Sequence, residues 1–309
     1  MKRLFILASA AALMLASCAK TTVVYNEAPE EISFKQVTNV MTKAELPSGV
    51  KLGVIAYTDV DELYFGNTQF SHDGNTWSAD KYWPVASTLD FIIYAPYIST
   101  GVTPTYTESE KKLVINVNNI SNQTDWMYAD KLYAQTQKNG GAAISVNLKH
   151  ALAKIIVDLK ADVDGVVTIK SFKITNTNQQ SELIINQDAE SNELEWGDMQ
   201  TKDWELTVLK DEENKLTTTG RSDECLVIPG SQTSFVMTYT LDGVASDQTY
   251  THTFSDATWH SGKKYIYDIT IGVTEIKFTC TDEGWTEGNG NQAGNLNWNH
   301  EDTGRTQNN

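Results

Sequence analysis

The sequence predicts an all-β protein built from β-sandwiches. Three observations carry that expectation. Apolar and polar residues alternate with period two in several segments, turn residues punctuate those segments at short intervals, and helical periodicity is nearly absent. The chain has 309 residues, of which 40% are hydrophobic and 21% charged. That is enough apolar material for a substantial core and too much for a disordered polymer.

Taken in chain order, the first strand candidates are residues 50–57, 89–95 and 112–118. Ile144, Val146 and Leu148 then alternate with Ser145, Asn147 and Lys149. Segments 153–159, 166–174 and 204–209 follow. Phe235, Met237, Tyr239 and Leu241 alternate with Val236, Thr238 and Thr240. Tyr250, His252 and Phe254 alternate with threonines 249, 251 and 253. Tyr265, Tyr267, Ile269 and Ile271 alternate with Lys264, Ile266, Asp268 and Thr270, and 274–280 closes the series. Each pattern suits a sheet with one buried face. Between them lie Asp73-Gly74-Asn75, Asn139-Gly140-Gly141, Asp164-Gly165, Asp242-Gly243 and Ser261-Gly262, residues that accept turn geometry. The best helical stretch is 128–138. A break near 161–165 separates two strong strand patterns and divides the body into domains 32–163 and 164–287, each of ordinary domain size.

The two ends read differently from the body. Lys2 and Arg3 precede a short apolar stretch, Leu4 to Leu15, and Leu15-Ala16-Ser17-Cys18 matches a lipobox. Residues 1–17 therefore read as a lipoprotein signal peptide, too short to span a bilayer as a helix. Cys18 would be the lipidated residue, and several acyl chains on one residue give durable anchoring to the outer membrane. Residues 18–31 are polar and read as a tether. Residues 288–309, rich in Gly and Asn, read as a disordered polar tail. Gly288, Gly290 and Gly294 lack the spacing of a dinucleotide fingerprint.

Charge and cysteine usage narrow the function. With 24 Lys plus Arg against 40 Asp plus Glu, the formal charge is −16. The three arginines are Arg3, Arg221 and Arg305. No clustered cations are present to neutralise phosphates, so nucleic acid is not an expected partner. Cys225 and Cys280 remain after lipidation of Cys18. An exported protein can bridge them, or they can be two separate buried thiols.

No catalytic residues are predicted. The chain has no Gly-x-Ser-x-Gly elbow, phosphate loop or His-Glu-x-x-His string, and no cofactor is expected. His150 has no adjacent nucleophile and reads as structural. His252 and His260 lack ligands at metal-like spacing, and Asp162 and Asp164 lack the later ligands of a calcium loop, so no metal site is predicted. The acidic residues read as a solvated surface. Trp77, Tyr82, Trp83, Trp126, Tyr128 and Trp196 offer the alternative function: rings stacking on sugars in a surface glycan-binding lipoprotein.

Several strings, in order, resemble the fimbrillin family of Bacteroidales, in its Mfa-like branch of type V pilins. They are Ile32-Ser33-Phe34, Thr42-Lys43-Ala44, Leu52 to Tyr57, Tyr82-Trp83-Pro84 with Leu89 to Pro96, His150 to Ile155, and Trp259 to Tyr267, followed by Ile276 and Trp285. The resemblance covers roughly residues 32–285. It implies two tandem transthyretin-like β-sandwich domains on an exported lipoprotein, with no catalysis. It also implies removal of the first strand, bearing Ile32 and Phe34, by cleavage after a basic residue, here Lys43 before Ala44. The partners implied are other pilin subunits, joined by β-strand exchange, with adhesion to host or bacterial surface ligands. Two departures bear on the role. The basic residue is Lys43 where the family prefers Arg, and the tail offers only Leu296-Asn297-Trp298 where a donor strand needs a long alternating run. A tip, anchor or accessory subunit of the fimbrium is expected in preference to a shaft subunit.

Overall fold

A computed structural model describes residues 30–37, 49–97, 104–119, 123–136, 141–186, 194–205, 214–231, 234–254 and 258–285. Residues 1–17, read from sequence as a signal peptide, lie outside the described residues, as do Cys18, Lys43, Ala44 and the tail from 288. Among those described, twenty-two strands form, numbered here in chain order, with a short 3-10 turn at Glu108–Glu110.

The N-terminal layers come from one sheet that folds over on itself. Its order is β10 (Ile144–Val146), β1 (Glu31–Gln36), β4 (Trp77–Tyr82), β3 (Leu63–His72), β2 (Leu52–Thr58), β5 (Leu89–Ala95), β8 (Met127–Ala129) and β11 (Leu148–His150), with β9 (Leu132–Gln135) also on β5. The ten-residue β3 passes between layers, pairing with β2 along Leu63–Phe70 and with β4 at Ser71 and His72. The fold encloses a core that includes Ile32, Phe34, Leu52, Phe70, Trp77, Phe91, Ile144 and Val146.

The C-terminal sandwich faces two sheets across a second core. One sheet has the order β16 (Arg221–Val227), β12 (Ala153–Ala161), β21 (Lys263–Ile271), β22 (Ile276–Gly284). The other runs β19 (Gln248–Thr253), β18 (Ser234–Leu241), β13 (Val167–Asn186), β7 (Lys112–Asn118), β6 (Thr105–Thr107), with β14 (Glu195–Trp196) and β15 (Gln200–Glu205) also on β13. A small ladder joins β17 (Gly230–Ser231) to β20 (Thr258–Trp259). The alternation in 235–241 and 265–271 does what the pattern predicts: Phe235, Met237, Tyr239, Leu241, Tyr265, Tyr267, Ile269 and Ile271 all point into this core.

The twenty-residue β13 ties the halves together. Its first part pairs with β18, and its second part, Gln180–Asn186, pairs with β7. The chain changes direction at Asn176, whose φ is +52° and whose backbone N–H donates to Asp203 Oδ1 at 3.1 Å. Asn tolerates this left-handed conformation better than most residues. The β7–β13 pair packs against the outer face of β2 and β5 in a third core of Ile55, Tyr57, Ile92, Tyr94, Leu113, Ile115, Leu183 and Trp285, among others. Here Gly53 is required. A Cβ on it would lie 2.1 Å from the ring of its cross-strand neighbour Tyr94, and the Tyr94 hydroxyl is tied to Asn67 Oδ1 at 3.0 Å. The position 163/164 falls in the turn between β12 and β13, with β12 hydrogen-bonded to β16 and β21.

The structure corrects one expectation and decides one open alternative. Residues 128–136, the described part of the 128–138 stretch, are not a helix: they supply part of β8 and all of β9, because their backbone pairs with β5 and β11. Weak local propensity yields to these long-range ladders. Cys225 and Cys280 are free thiols, so the bridge does not form. Two strands, β12 and β21, lie between β16 and β22, putting the two cysteines about 14 Å apart at the usual strand spacing, far beyond disulfide reach. Burial pushes the Cys225 thiol well above its ordinary value and raises Cys280 to about 12.

On the outer face of the four-stranded sheet, Asp158 and Asp268 stand directly opposite each other in the parallel β12–β21 register. Partial burial, and then repulsion from Asp158, raise the Asp268 carboxyl above its ordinary 3.8. A raised carboxyl favours the protonated folded state, so its ionisation weakens the fold as pH rises from the unfolded value through the folded one. Asp268→Asn is therefore expected to raise the melting temperature at pH 7. The gain should shrink on acidification and vanish below about pH 3.8, as thermal melts across that range would show.

Candidate functional site: the groove that holds the first strand

The first strand lies inside its sheet. On one side β1 runs parallel to β10, with Phe34 opposite Ile144, Lys35 opposite Ser145 and Gln36 opposite Val146. On the other it runs antiparallel to β4, with Glu31 opposite Tyr82, Ser33 opposite Ser78 and Phe34 opposite Trp77, and a bulge between Glu31 and Ser33. Both ends are pinned. The Trp83 N–H donates to the Glu30 carbonyl at 2.9 Å, and the Val37 N–H to the Val146 carbonyl at 3.1 Å. The Glu31 Oε1 also accepts the Asp80 backbone N–H at 3.0 Å, at a residue whose φ is +40°.

Alternation sets the faces. Ile32 and Phe34 are completely buried, whereas Lys35 is exposed and Ser33 half-buried. The Phe34 ring meets Phe70 and Phe91 edge-on, each with centroids 5.2 Å away and interplanar angles of 62° and 87°. Phe65 lies 6.0 Å from Phe70 and 6.5 Å from Phe91, and Trp83 stands edge-on to Phe91 at 6.1 Å. Trp77 is held by its indole N–H, which donates to the Val50 carbonyl at 2.9 Å. Burying Ile32 and Phe34 contributes about 3–6 kcal/mol.

The strings around His150 and Trp259 converge elsewhere, at the junction between the halves. His150 is buried, stacks on Trp285 at 3.6 Å with the rings within 5° of parallel, and its Nδ1 lies 2.9 Å from Asp125 Oδ1. Lys154 Nζ sits 5.8 Å from the Trp285 ring. The Trp285 N–H donates to the Gly262 carbonyl at 2.8 Å, and the Gly262 N–H donates to Leu152 O at 2.9 Å. The Ser261 hydroxyl donates to Ala151 O at 3.0 Å. His150 thus locks three distant segments together. Asp125 was not singled out from the sequence; nothing local marks it as the partner of a residue twenty-five positions away.

The aromatic residues offered as sugar platforms are largely inside. Trp77, Trp83, Trp126 and Tyr128 are buried, Trp196 is half-buried, and Tyr82 is exposed. Among the described residues, no group of three or more His, Cys, Asp or Glu is arranged to hold a metal ion. The opposite walls of the groove, β10 and β4, and the ring cluster of Phe70, Phe91 and Phe65 were not identified as a site from sequence, because their meeting depends on register and not on any local motif.

Comparison with known proteins places these observations. The chain is 27% identical over 217 residues to Fim1C, described as a candidate fimbrium subunit of Bacteroides uniformis; the match spans 68% of this chain and 66% of that relative, just under two thirds. A solved structure of a candidate cell adhesion protein from Bacteroides uniformis superposes with a TM-score of 0.58 at 20% identity, covering 83% of this chain and 99% of that one. A second, from Bacteroides ovatus, gives 0.54 at 15% identity, covering 84% and 99%. These two share the fold. The fimbrillin-like family model matches residues 38–285, and with most of its length accounted for the chain belongs to the fimbrillin-like family.

Proposed function

We propose that this chain is a non-catalytic fimbrial subunit at the cell surface that joins its neighbours by β-strand replacement. In this reading Cys18 carries the lipid anchor to the outer membrane. Cleavage after Lys43 severs β1, and a strand from another subunit takes its place between β4 and β10. The observation that carries the reading is the placement of β1: an interior strand with two fully buried side chains, joined to β2 through the segment that contains Lys43. Removal would uncover the Phe70–Phe91 surface and two sets of unpaired backbone groups, which favours pairing with a new strand. The tail composition favours a tip, anchor or accessory role. Surface ligands contacted by such a subunit would give it an adhesive function.

Limited digestion of lipid-free protein with a Lys-specific protease tests this, with light scattering to follow size. Cutting at Lys43 is expected to leave a body that begins at Ala44 and enters higher-mass species when mixed with fimbrial subunits that carry an alternating apolar donor strand. A body that loses residues 18–43 yet stays monomeric in such a mixture would count against strand replacement. The mass of the mature N-terminus from native membranes, acylated Cys18 or free Ala44, checks the anchoring and the cut together.

A further inference from the structure

We propose that the groove selects its occupant through one aromatic slot. The position of Phe34 requires an aromatic ring, the position of Ile32 an aliphatic side chain, and the strand that carries them must run parallel to β10 and antiparallel to β4. The inference rests on the strand-replacement reading and specifies which segments can serve as partners.

The slot is defined on every side. The Phe34 ring is fully buried and touches Phe70 and Phe91 edge-on at equal centroid distances of 5.2 Å. Edge-to-face pairs at this separation are favourable beyond simple burial. The walls are not free to collapse inward. Phe91 is itself braced by Trp83 and Phe65, and Phe70 by Phe65. A smaller side chain would leave a cavity among rigid rings, the situation in which truncation costs most. A polar one would be buried beside Trp77 and Ile144, its cross-strand neighbours, with nothing to bond.

Register and direction follow from the same contacts. A slip of one residue would turn Ser33 and Lys35 inward and Ile32 and Phe34 outward. The native direction gives β1 a parallel neighbour, β10, on one side and an antiparallel neighbour, β4, on the other. A reversed strand would exchange both hydrogen-bond patterns, and the two spacings differ. By contrast, the outward positions face Ser78 and Ser145, small residues that place little demand on what lies opposite. The selective code is therefore aliphatic-x-aromatic, with the middle residue free.

The test uses the full chain cut at Lys43, with the protease quenched, and fluorescent peptides spanning Glu31–Val37 whose binding is read by anisotropy. The parent peptide is expected to bind, and its Phe34→Tyr form more weakly, because the added hydroxyl would be buried with nothing to bond. The Phe34→Ala peptide should bind about 100-fold more weakly or worse, and Ser33→Ala within about threefold of the parent. If the Phe34→Ala peptide binds as well as the parent, the aromatic slot is overturned while strand replacement stands. If the parent peptide never enters the cut protein, strand replacement itself fails, and the slot with it.

Discussion

Trp285→Ala is expected to lower the unfolding free energy by about 3–5 kcal/mol, read as a drop in the urea midpoint. Trp285 is buried, lies flat on His150 and receives the Lys154 ammonium over its ring. Its loss leaves a void at a point where three parts of the chain meet. It exposes one face of His150, a side chain already buried with its Nδ1 committed to Asp125. It also loosens the end of β22, whose last backbone bond runs from Trp285 to Gly262. The void and the lost stacking act on the same side. Trp285→Phe should recover part of the loss, since a smaller ring can still stack on the imidazole. An unchanged midpoint for Trp285→Ala would mean that the junction contributes little and that each half is stable without it.

Phe34→Ala is the second large effect, also about 3–5 kcal/mol at the site, but it should appear locally. The strand that carries Phe34 has a chain connection on each side and only short ladders, so it can open without unfolding the rest. Hydrogen exchange distinguishes the two kinds of loss. The amides of Val37 and Trp83, which bond across the two ends of β1, should exchange much faster in the variant. Amides in β12, held by full ladders to β16 and β21, should keep their protection. Equal acceleration everywhere would show that β1 is part of the global cooperative unit, and would weaken the case that it is an exchangeable element.

The β13 strand illustrates what local patterning misses. Alternation marks 166–174, yet the strand continues to Asn186. Its later inward positions are Thr177, Gln179 and Ser181, all buried. They are polar, so no apolar period shows. Each is satisfied after folding: Thr177 donates to the Lys202 carbonyl, Gln179 to the Thr177 hydroxyl and Ser181 to the Gly197 carbonyl. A similar limit applies at 144–150. Ile144, Val146 and Leu148 are all buried as their alternation predicts, but β10 pairs with β1 and β11 with β8, one on either side of Asn147. One continuous pattern serves two pairing partners, and nothing in it marks where the change occurs.

Sequence alone determined the all-β class, most strand positions, the inward face of each alternating segment and the family likeness. These are properties of short windows, where side-chain period and turn chemistry act directly on the backbone. Tertiary structure decided that Cys225 and Cys280 are too far apart to bridge, that His150 is a junction residue stacked on Trp285, and that Phe34 fills a slot between Phe70 and Phe91. Each of these depends on which strands become neighbours. That choice is made by burial and backbone pairing summed over the whole chain, so it leaves no mark on any single segment.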